Sequence, residues 1–209
     1  NTSTTSATFT IIDSTDPIIA VQAADLTVEC DGNGNTAQLN AWLNSFGGAS
    51  ASDACSNVTW SNSFSSLSNT CGATGSASVT FTATDDCGNT STTSATFTII
   101  DSTDPIFTSE LPQNITVSCD NIPIPSNMTA SDNCDNEVSI SVLDTIDREG
   151  SDCEGEYIIS RTWTITDDCN NSSSYTQTIT VFDNIPPMLT TPIDSEISAI
   201  CSEIPEKPE

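Results

Sequence analysis

The sequence predicts an all-β fold of tandem antiparallel Ig-like β-sandwich repeats, with one short helix inserted in the first full repeat. Three observations carry this: an 18-residue segment that recurs letter for letter, cysteines that keep the same beat, and period-two alternation of apolar and polar residues between turn signals. Residues 1–18, NTSTTSATFTIIDSTDPI, return unchanged at 89–106, and a diverged copy, NSSSYTQTITVFDNIPPM, occupies 171–188. The copies open at Asn1, Asn89 and Asn171, so a unit spans roughly 85 residues. Full units then run over 13–100 and 101–182, with 1–12 the last strand of a preceding repeat and 183–209 the start of a following one. Cys30, Cys55, Cys71 and Cys87 fall in the first full unit, and Cys119, Cys134, Cys153 and Cys169 in the second. Cys201 follows Cys119 at the same interval that separates Asn171 from Asn89. It therefore opens a third unit, and its partner is expected beyond Glu209.

Within a unit the strands can be placed in order. Leu26, Val28 and Cys30 set an early strand, matched by Ile115, Val117 and Cys119 in the second unit. Val58 and Trp60 mark a middle strand. Ala77, Val79, Phe81 and Ala83 share one face of a longer strand, with Ser78, Thr80 and Thr82 on the other. Ile159, Trp163 and Ile165 repeat that inner face, with Arg161 where Val79 stood. Ala95, Phe97 and Ile99 line the closing strand and are answered by Gln177, Ile179 and Val181. Enrichment in Thr, Val and Ile suits a pleated surface wet on one side, and about seven short strands per unit make a sandwich. Leu39, Trp42, Leu43 and Phe46 fall at helical spacing before Gly47 and Gly48, which predicts the one helix. Two roles are open to it: a plug on the open edge of the sandwich, or an exposed Trp/Phe face for a neighbour or ligand.

Composition narrows the function. There are 29 Asp+Glu against 3 Lys+Arg (Arg148, Arg161 and Lys207) and no His, for a net charge of −26. Such a chain cannot neutralise phosphates, which argues against nucleic acid and anionic membranes as partners. Without His there is no Ser-His-Asp or Cys-His pair and no His-ligated zinc, so no enzyme and no organic cofactor are expected. At 35% hydrophobic the chain can still bury a core. The nine cysteines contain no CxxC pair, so disulfides in an oxidising, extracellular setting are the expected use. No apolar run approaches the ~18–20 residues of a membrane span. No basic-then-apolar leader opens the chain, which reads as an interior window of something longer.

One set of motifs resembles a known family. A D-x-x-x-P linker (Asp101 to Pro105), an S-D-N-C element (Ser131–Cys134), R-T-W-T-I-T-D-D-C (Arg161–Cys169) and a closing I-T-V-F-D (Ile179–Asp183) stand together with the cysteine set. This resembles the HYR-type (hyalin-repeat-like) Ig-like modules of giant Bacteroidota cell-surface adhesins and filaments. The first unit departs from the pattern, with Ser78-Val79-Thr80-Phe81 where R-T-W is expected, and with the added helix. The resemblance implies a stalk or adhesive filament on the cell surface, exported by type IX secretion, used in attachment, gliding or prey capture. Its partners would be neighbouring repeats of the same chain or copies of itself in a filament. The alternative is a carbohydrate- or protein-binding module in which Trp42 or Trp60 forms an exposed aromatic platform.

Ig-like topology places Cys30 and Cys71 at the far pole of the first unit, and Cys55 and Cys87 at the N-terminal pole. Three pairings per unit are open to the sequence; this placement favours Cys30–Cys71 and Cys55–Cys87, then Cys119–Cys153 and Cys134–Cys169. It also gathers carboxylates at each N-terminal pole: Asp101, Asp104, Asp132, Asp135, Asp167 and Asp168 in the second unit, and Asp13, Asp16, Asp53, Asp85 and Asp86 in the first. With no cation nearby in sequence, a Ca2+ ion would offset their repulsion; the alternative is that these residues only end strands, cap turns and keep a long filament soluble. The metal set drawn from them is Asp13, Asp16, Asp53, Asp86, Asp101, Asp104, Asp132 and Asp168, with Asp101, Asp104 and Asp168 foremost. Asp31, Asn33 and Asn35 also have the 1-3-5 spacing of a calcium loop, but Trp42 stands where its Glu would be, which favours an ordinary turn. Asp-Ser/Thr sites that resemble O-glycosylation acceptors occur at Ser14, Ser102 and Thr145.

Overall fold

Residues 1–148, 156–184 and 186 are described by a computed structural model, and in them twelve strands form two units of one plan. The first unit comprises β1 (Ile18–Val21), β2 (Leu26–Glu29), α1 (Thr36–Asn44), a 3-10 turn (Phe46–Gly48), β3 (Ser50–Ser52), β4 (Thr59–Asn62), β5 (Gly75–Thr84) and β6 (Thr90–Ile100). The second comprises β7 (Ile106–Phe107), β8 (Ile115–Ser118), β9 (Ala130–Ser131), β10 (Ser139–Asp147), β11 (Tyr157–Thr166) and β12 (Ser172–Phe182). Each unit has a four-stranded sheet, ordered β2-β6-β5-β4 and β8-β12-β11-β10, and a two-stranded one, β1-β3 and β7-β9. Pairing is antiparallel except where β2 runs along β6 and β8 along β12, which are parallel. Among the described residues each unit therefore holds six strands, one fewer than the alternation pattern predicts.

The alternation of β5 and β6 is the alternation of burial. Val79, Phe81 and Ala83 are buried on one face of β5, and Ala95, Phe97 and Ile99 on that of β6, with Val79 paired directly to Ala95. The other face stays wet, and there Thr80 and Ser94 hydroxyls bond across the strands at 2.9 Å, as Thr162 and Thr176 do at 2.8 Å in the second unit. Trp163, Ile165, Ile179 and Val181 form the corresponding interior of β11 and β12.

The helix is the plug. Leu39 and Trp42 are buried, with the Trp42 ring set edge-on to Phe81 at 5.3 Å and 5.6 Å from Phe97. The indole Nε1–H of Trp42 donates to the Ala24 carbonyl at 3.0 Å. The turn into the helix is self-contained: Asp31 Oδ1 accepts the N–H groups of Asn33 and Asn35, and buried Asn35 donates to the Glu29 carbonyl. The DGNGN oxygens thus serve a turn, which accounts for the 1-3-5 spacing without a metal. An aromatic platform on Trp42 is ruled out by its burial, and Trp60 lies half-buried and stacked on Phe46 at 5.2 Å.

Arg161, in place of Val79, is also buried. It survives there because Asp144, its partner across β10 and β11, accepts from Nε and Nη2 at 2.8 and 2.9 Å, while the Pro123 carbonyl takes Nη1. The guanidinium holds the Asp144 carboxyl below the usual carboxylate range. Asp144 itself keeps 37% exposure, so screening tempers the pair. Asp144→Asn is expected to cost about 1–2 kcal/mol at neutral pH, short of the ~3–5 kcal/mol for breaking a fully buried pair. Because the folded pKa is depressed, this stabilisation is complete above about pH 5 and is lost as pH falls through the lowered value. Urea denaturation of both proteins at neutral and acid pH checks it; equal midpoints at pH 7 would remove the pair from the account.

Residues 1–12 present a contrast. They carry the sequence of 89–100 yet form no strand, and Phe9 and Ile11 are 88% and 79% exposed where Phe97 and Ile99 are 0% and 2%. The same letters are a buried strand or an uncovered segment according to whether sheet neighbours flank them. The expected 183–209 unit, Cys153 and Cys201 lie outside the described residues, apart from the first residues of that unit.

Candidate functional site

Among the described residues, the two disulfides cross from one unit to the next. Cys30 bonds to Cys134 and Cys71 to Cys169, with Cα separations of 5.6 and 5.2 Å. This corrects the expected pairing of Cys30 with Cys71 and of Cys134 with Cys169. The poles are as the topology requires, since Cys30 and Cys71 both sit at the far pole of the first unit. That pole abuts the near pole of the second unit, where Cys134 and Cys169 lie, so each far-pole cysteine meets a partner across the junction. Cys55 and Cys87, expected to pair with each other, carry free, exposed thiols, and Cys119 is free and half-buried.

Two glycines let the poles approach. Gly32, at φ +71°, lies against the Asn133 carbonyl, and Gly72, at φ +53°, lies against the Asp135 carboxylate; a Cβ at either would overlap those oxygens. Hydrogen bonds finish the contact. Asn133 Nδ2 donates to the Cys30 carbonyl at 2.8 Å and the Ala73 N–H to the Cys134 carbonyl at 3.2 Å. Glu29, at the end of β2, accepts from the Ser102 N–H at 2.7 Å and from the Ser102 and Thr103 hydroxyls at 3.0 Å, which lowers its pKa. Cys134 is buried within the apolar cluster of the first unit, beside Cys30 and Phe97.

Beside these bonds lies an acidic cluster. Asp101, Asp132, Asp135 and Asp167 each offer a carboxylate oxygen within 4.8 Å of the others. Each is placed by local turn chemistry. Asp101 Oδ1 accepts from Thr103 N–H in the linker, and Asp132 Oδ1 from the N–H groups of Cys134 and Asp135. Asp167, buried at the β11–β12 hairpin, is clasped by Asn171 through both backbone and side chain. Desolvation, reinforced by neighbouring carboxylates, pushes Asp101 and Asp135 up. Asp101 Oδ2, Asp132 Oδ2 and Asp135 Oδ1 are buried without a hydrogen-bond partner. An all-oxygen set with orphaned, mutually repelling carboxylates fits a hard cation such as Ca2+. It does not fit zinc, since the chain has no imidazole and the adjacent sulfurs are in disulfides.

Of the candidate ligands, Asp101 and Asp132 are in this cluster. Asp104 is turned to the Ser172 N–H, and Asp168 is exposed, with its N–H donating to Asp135 Oδ2. Asp167, the first of the Asp-Asp pair, is the inward one; the hairpin clasp by the Asn four residues on is the signal that separates them. In the first unit Asp13, Asp53 and Cys55 come together, whereas Asp16 and Asp86 are exposed and outside that group. There Ser56 stands where the second unit has Asp135, and the Asp86 N–H donates to its hydroxyl. Asp85 is held below the usual range, its partial desolvation outweighed by hydrogen bonds from Asn89, Cys87 and Gly88. Ser14 is exposed; the Ser102 hydroxyl is committed to Glu29, and that of Thr145 to the Ser160 carbonyl.

The chain aligns with several solved cadherin structures at low similarity. Drosophila N-cadherin EC1-4 is 12% identical over 81% of this chain and 50% of that one, at a TM-score of 0.34. Protocadherin Gamma B2 extracellular cadherin domains 1-5 are 15% identical over 80% of this chain and 39% of that one, at 0.30. The chain thus spans half or less of the length of those two. No curated protein is significantly similar to it in sequence. Residues 107–181, nearly the whole second unit, match the family model of the HYR-like domain with four cysteines.

Proposed function

We propose that this chain is a stalk segment of an extracellular bacterial filament or giant surface adhesin, with a structural role and no catalytic step. The observation that carries the reading is that both described disulfides join one unit to the next. A bond within a unit stabilises that unit alone, whereas two bonds across a junction fix the relative placement of neighbours. Repeats contact mainly their neighbours, so each added unit extends reach while the junction chemistry keeps the rod stiff. The HYR-like match and the acidic surface support an extracellular setting.

Calcium is the second part of the proposal. Asp101, Asp132, Asp135 and Asp167 would hold the ion, which would neutralise carboxylates contributed by the linker and by two loops of the second unit. Asp135 also packs against Gly72 of the first unit, so ordering the cluster orders the junction. Sites of this extracellular type bind at roughly 0.1–1 mM, so a few millimolar calcium would stabilise by about 1–2 kcal/mol. That corresponds to a rise of roughly 4–16 °C in the melting temperature of a unit this size. Thermal melts of the oxidised chain with calcium and then with chelator test it, with small-angle scattering reading junction flexibility. Asp135→Ser, which copies the first unit at this position, should abolish most of the shift. Identical melts and scattering with and without calcium would remove the ion and leave the disulfides as the sole stiffening device.

A further inference from the structure

The near pole of the first unit repeats, piece by piece, the half-junction that is occupied in the second. Asp53 Oδ1 accepts the Cys55 and Ser56 N–H groups as Asp132 Oδ1 accepts those of Cys134 and Asp135. Asp85 is clasped by Asn89 as Asp167 is by Asn171, and Asn89 Nδ2 reaches the Asp13 carbonyl at 3.5 Å as Asn171 Nδ2 reaches that of Asp101 at 3.4 Å. Asp13 Oδ2 is buried and orphaned like Asp101 Oδ2. The two sulfurs at this pole, Cys55 and Cys87, occupy the positions of Cys134 and Cys169, but they are free and exposed. Residues 1–12, which lead into this pole, have the sequence of β6 with its apolar face uncovered.

We propose that this pole is the receiving half of a further stapled junction, and that its occupant is the far pole of a repeat preceding it. Cys55 bonds to the first cysteine of that repeat and Cys87 to its third, and residues 2–12 close its sheet as β6 closes that of the first unit. The inference rests on the stapled-stalk reading above. Each bond joins two thiols with loss of two protons and two electrons, which pass to a small-molecule disulfide that is reduced to two thiols. The same pairing rule carries through the array: first and third cysteines point forward, second and fourth point back. A unit therefore contains no disulfide of its own.

The test compares the chain with an extended version in which residues 13–88 are placed again ahead of Asn1, which continues the repeat without a seam. The added copy carries Cys55→Ser and Cys87→Ser, so it presents only its first and third cysteines. Both proteins are oxidised with glutathione disulfide, alkylated and mapped without reduction. The chain alone should label at Cys55 and Cys87. The extended protein should lose both labels, yield Cys30–Cys55 and Cys71–Cys87 peptides alongside Cys30–Cys134 and Cys71–Cys169, and protect residues 2–12 from hydrogen exchange. A Cys55–Cys87 bond, a link between two chains, or persistent labelling of both thiols would overturn the inference. If Cys30–Cys134 and Cys71–Cys169 still map in that case, the stalk reading stands without it; if they also vanish, both fall.

Discussion

Removing the two junction disulfides is expected to produce the largest loss of stability available to single-residue chemistry in this chain. The cross-links span 104 and 98 residues, and loops of that size are each worth about 4.7 kcal/mol in the chain-entropy view. The loops interleave, so the second bond closes a shorter effective path and the sum falls below twice that figure. Cys134→Ser and Cys169→Ser are each expected to lower the melting temperature by roughly 10 °C or more, given ~2–4 °C per kcal/mol for chains of this length. The variants should also differ in a telling way. Cys134 is buried against the core of the first unit, whereas Cys169 is half-buried, so Cys134→Ser additionally leaves a hydroxyl in an apolar site. Scanning calorimetry with and without reductant, beside non-reducing peptide maps, checks both points. Reduction that left the melting temperature unchanged would defeat the expectation.

Trp42→Ala is expected to cost about 3–5 kcal/mol, the range for truncating a large buried aromatic. Its ring fills the space between α1 and the β5–β6 face, and its N–H satisfies the Ala24 carbonyl, which truncation would leave unpaired. The loss should be confined to the first unit. Among the described residues the second unit has no helix, and it closes its sheet around Trp163, whose Nε1–H donates to the Ser126 carbonyl. Chemical denaturation followed by hydrogen exchange separates the units; loss of protection spread equally over β5 and β11 would contradict this assignment. Trp42→Phe should recover more than half of the difference, since it restores ring contact but not the hydrogen bond.

The strands and the helix were legible because their periodicity is a direct trace of burial: Val79, Phe81 and Ala83 face one way at every second position, and Leu39 and Trp42 do so at helical spacing. The poles of Cys30, Cys71, Cys134 and Cys169 were legible too, from strand direction alone. Their partners were not, because bonding depends on how one unit abuts the next, and that is decided by contacts that leave no periodic mark. Gly32 and Gly72 read as turn residues, yet their missing Cβ atoms admit Asn133 and Asp135 from the neighbouring unit. The acidic pole was visible as composition, but which member of Asp167-Asp168 points inward is set by the hairpin clasp with Asn171. Arg161 was visible as an exception to its face, and its partner Asp144 emerges only once β10 and β11 are in register.

The order of the bonded cysteines, 30, 71, 134 and 169, has a consequence for tension along the chain. Pulled from its two ends, the polypeptide between Cys30 and Cys169 would stretch to roughly 490 Å at ~3.5 Å per residue. With the bonds in place, load passes from Cys30 straight to Cys134 and then along the chain to Cys169, a limit of about 120 Å at the same rise. The parallel route, along the chain from Cys30 to Cys71 and then across to Cys169, is slightly longer and takes up strain second. The sequence between Cys71 and Cys134, which includes β5, β6 and the linker, lies on neither shortest route. The two sandwiches can therefore be distorted or even unravelled by force while about three quarters of the extensible length stays locked in reserve, which makes the tether short and recoverable under pull.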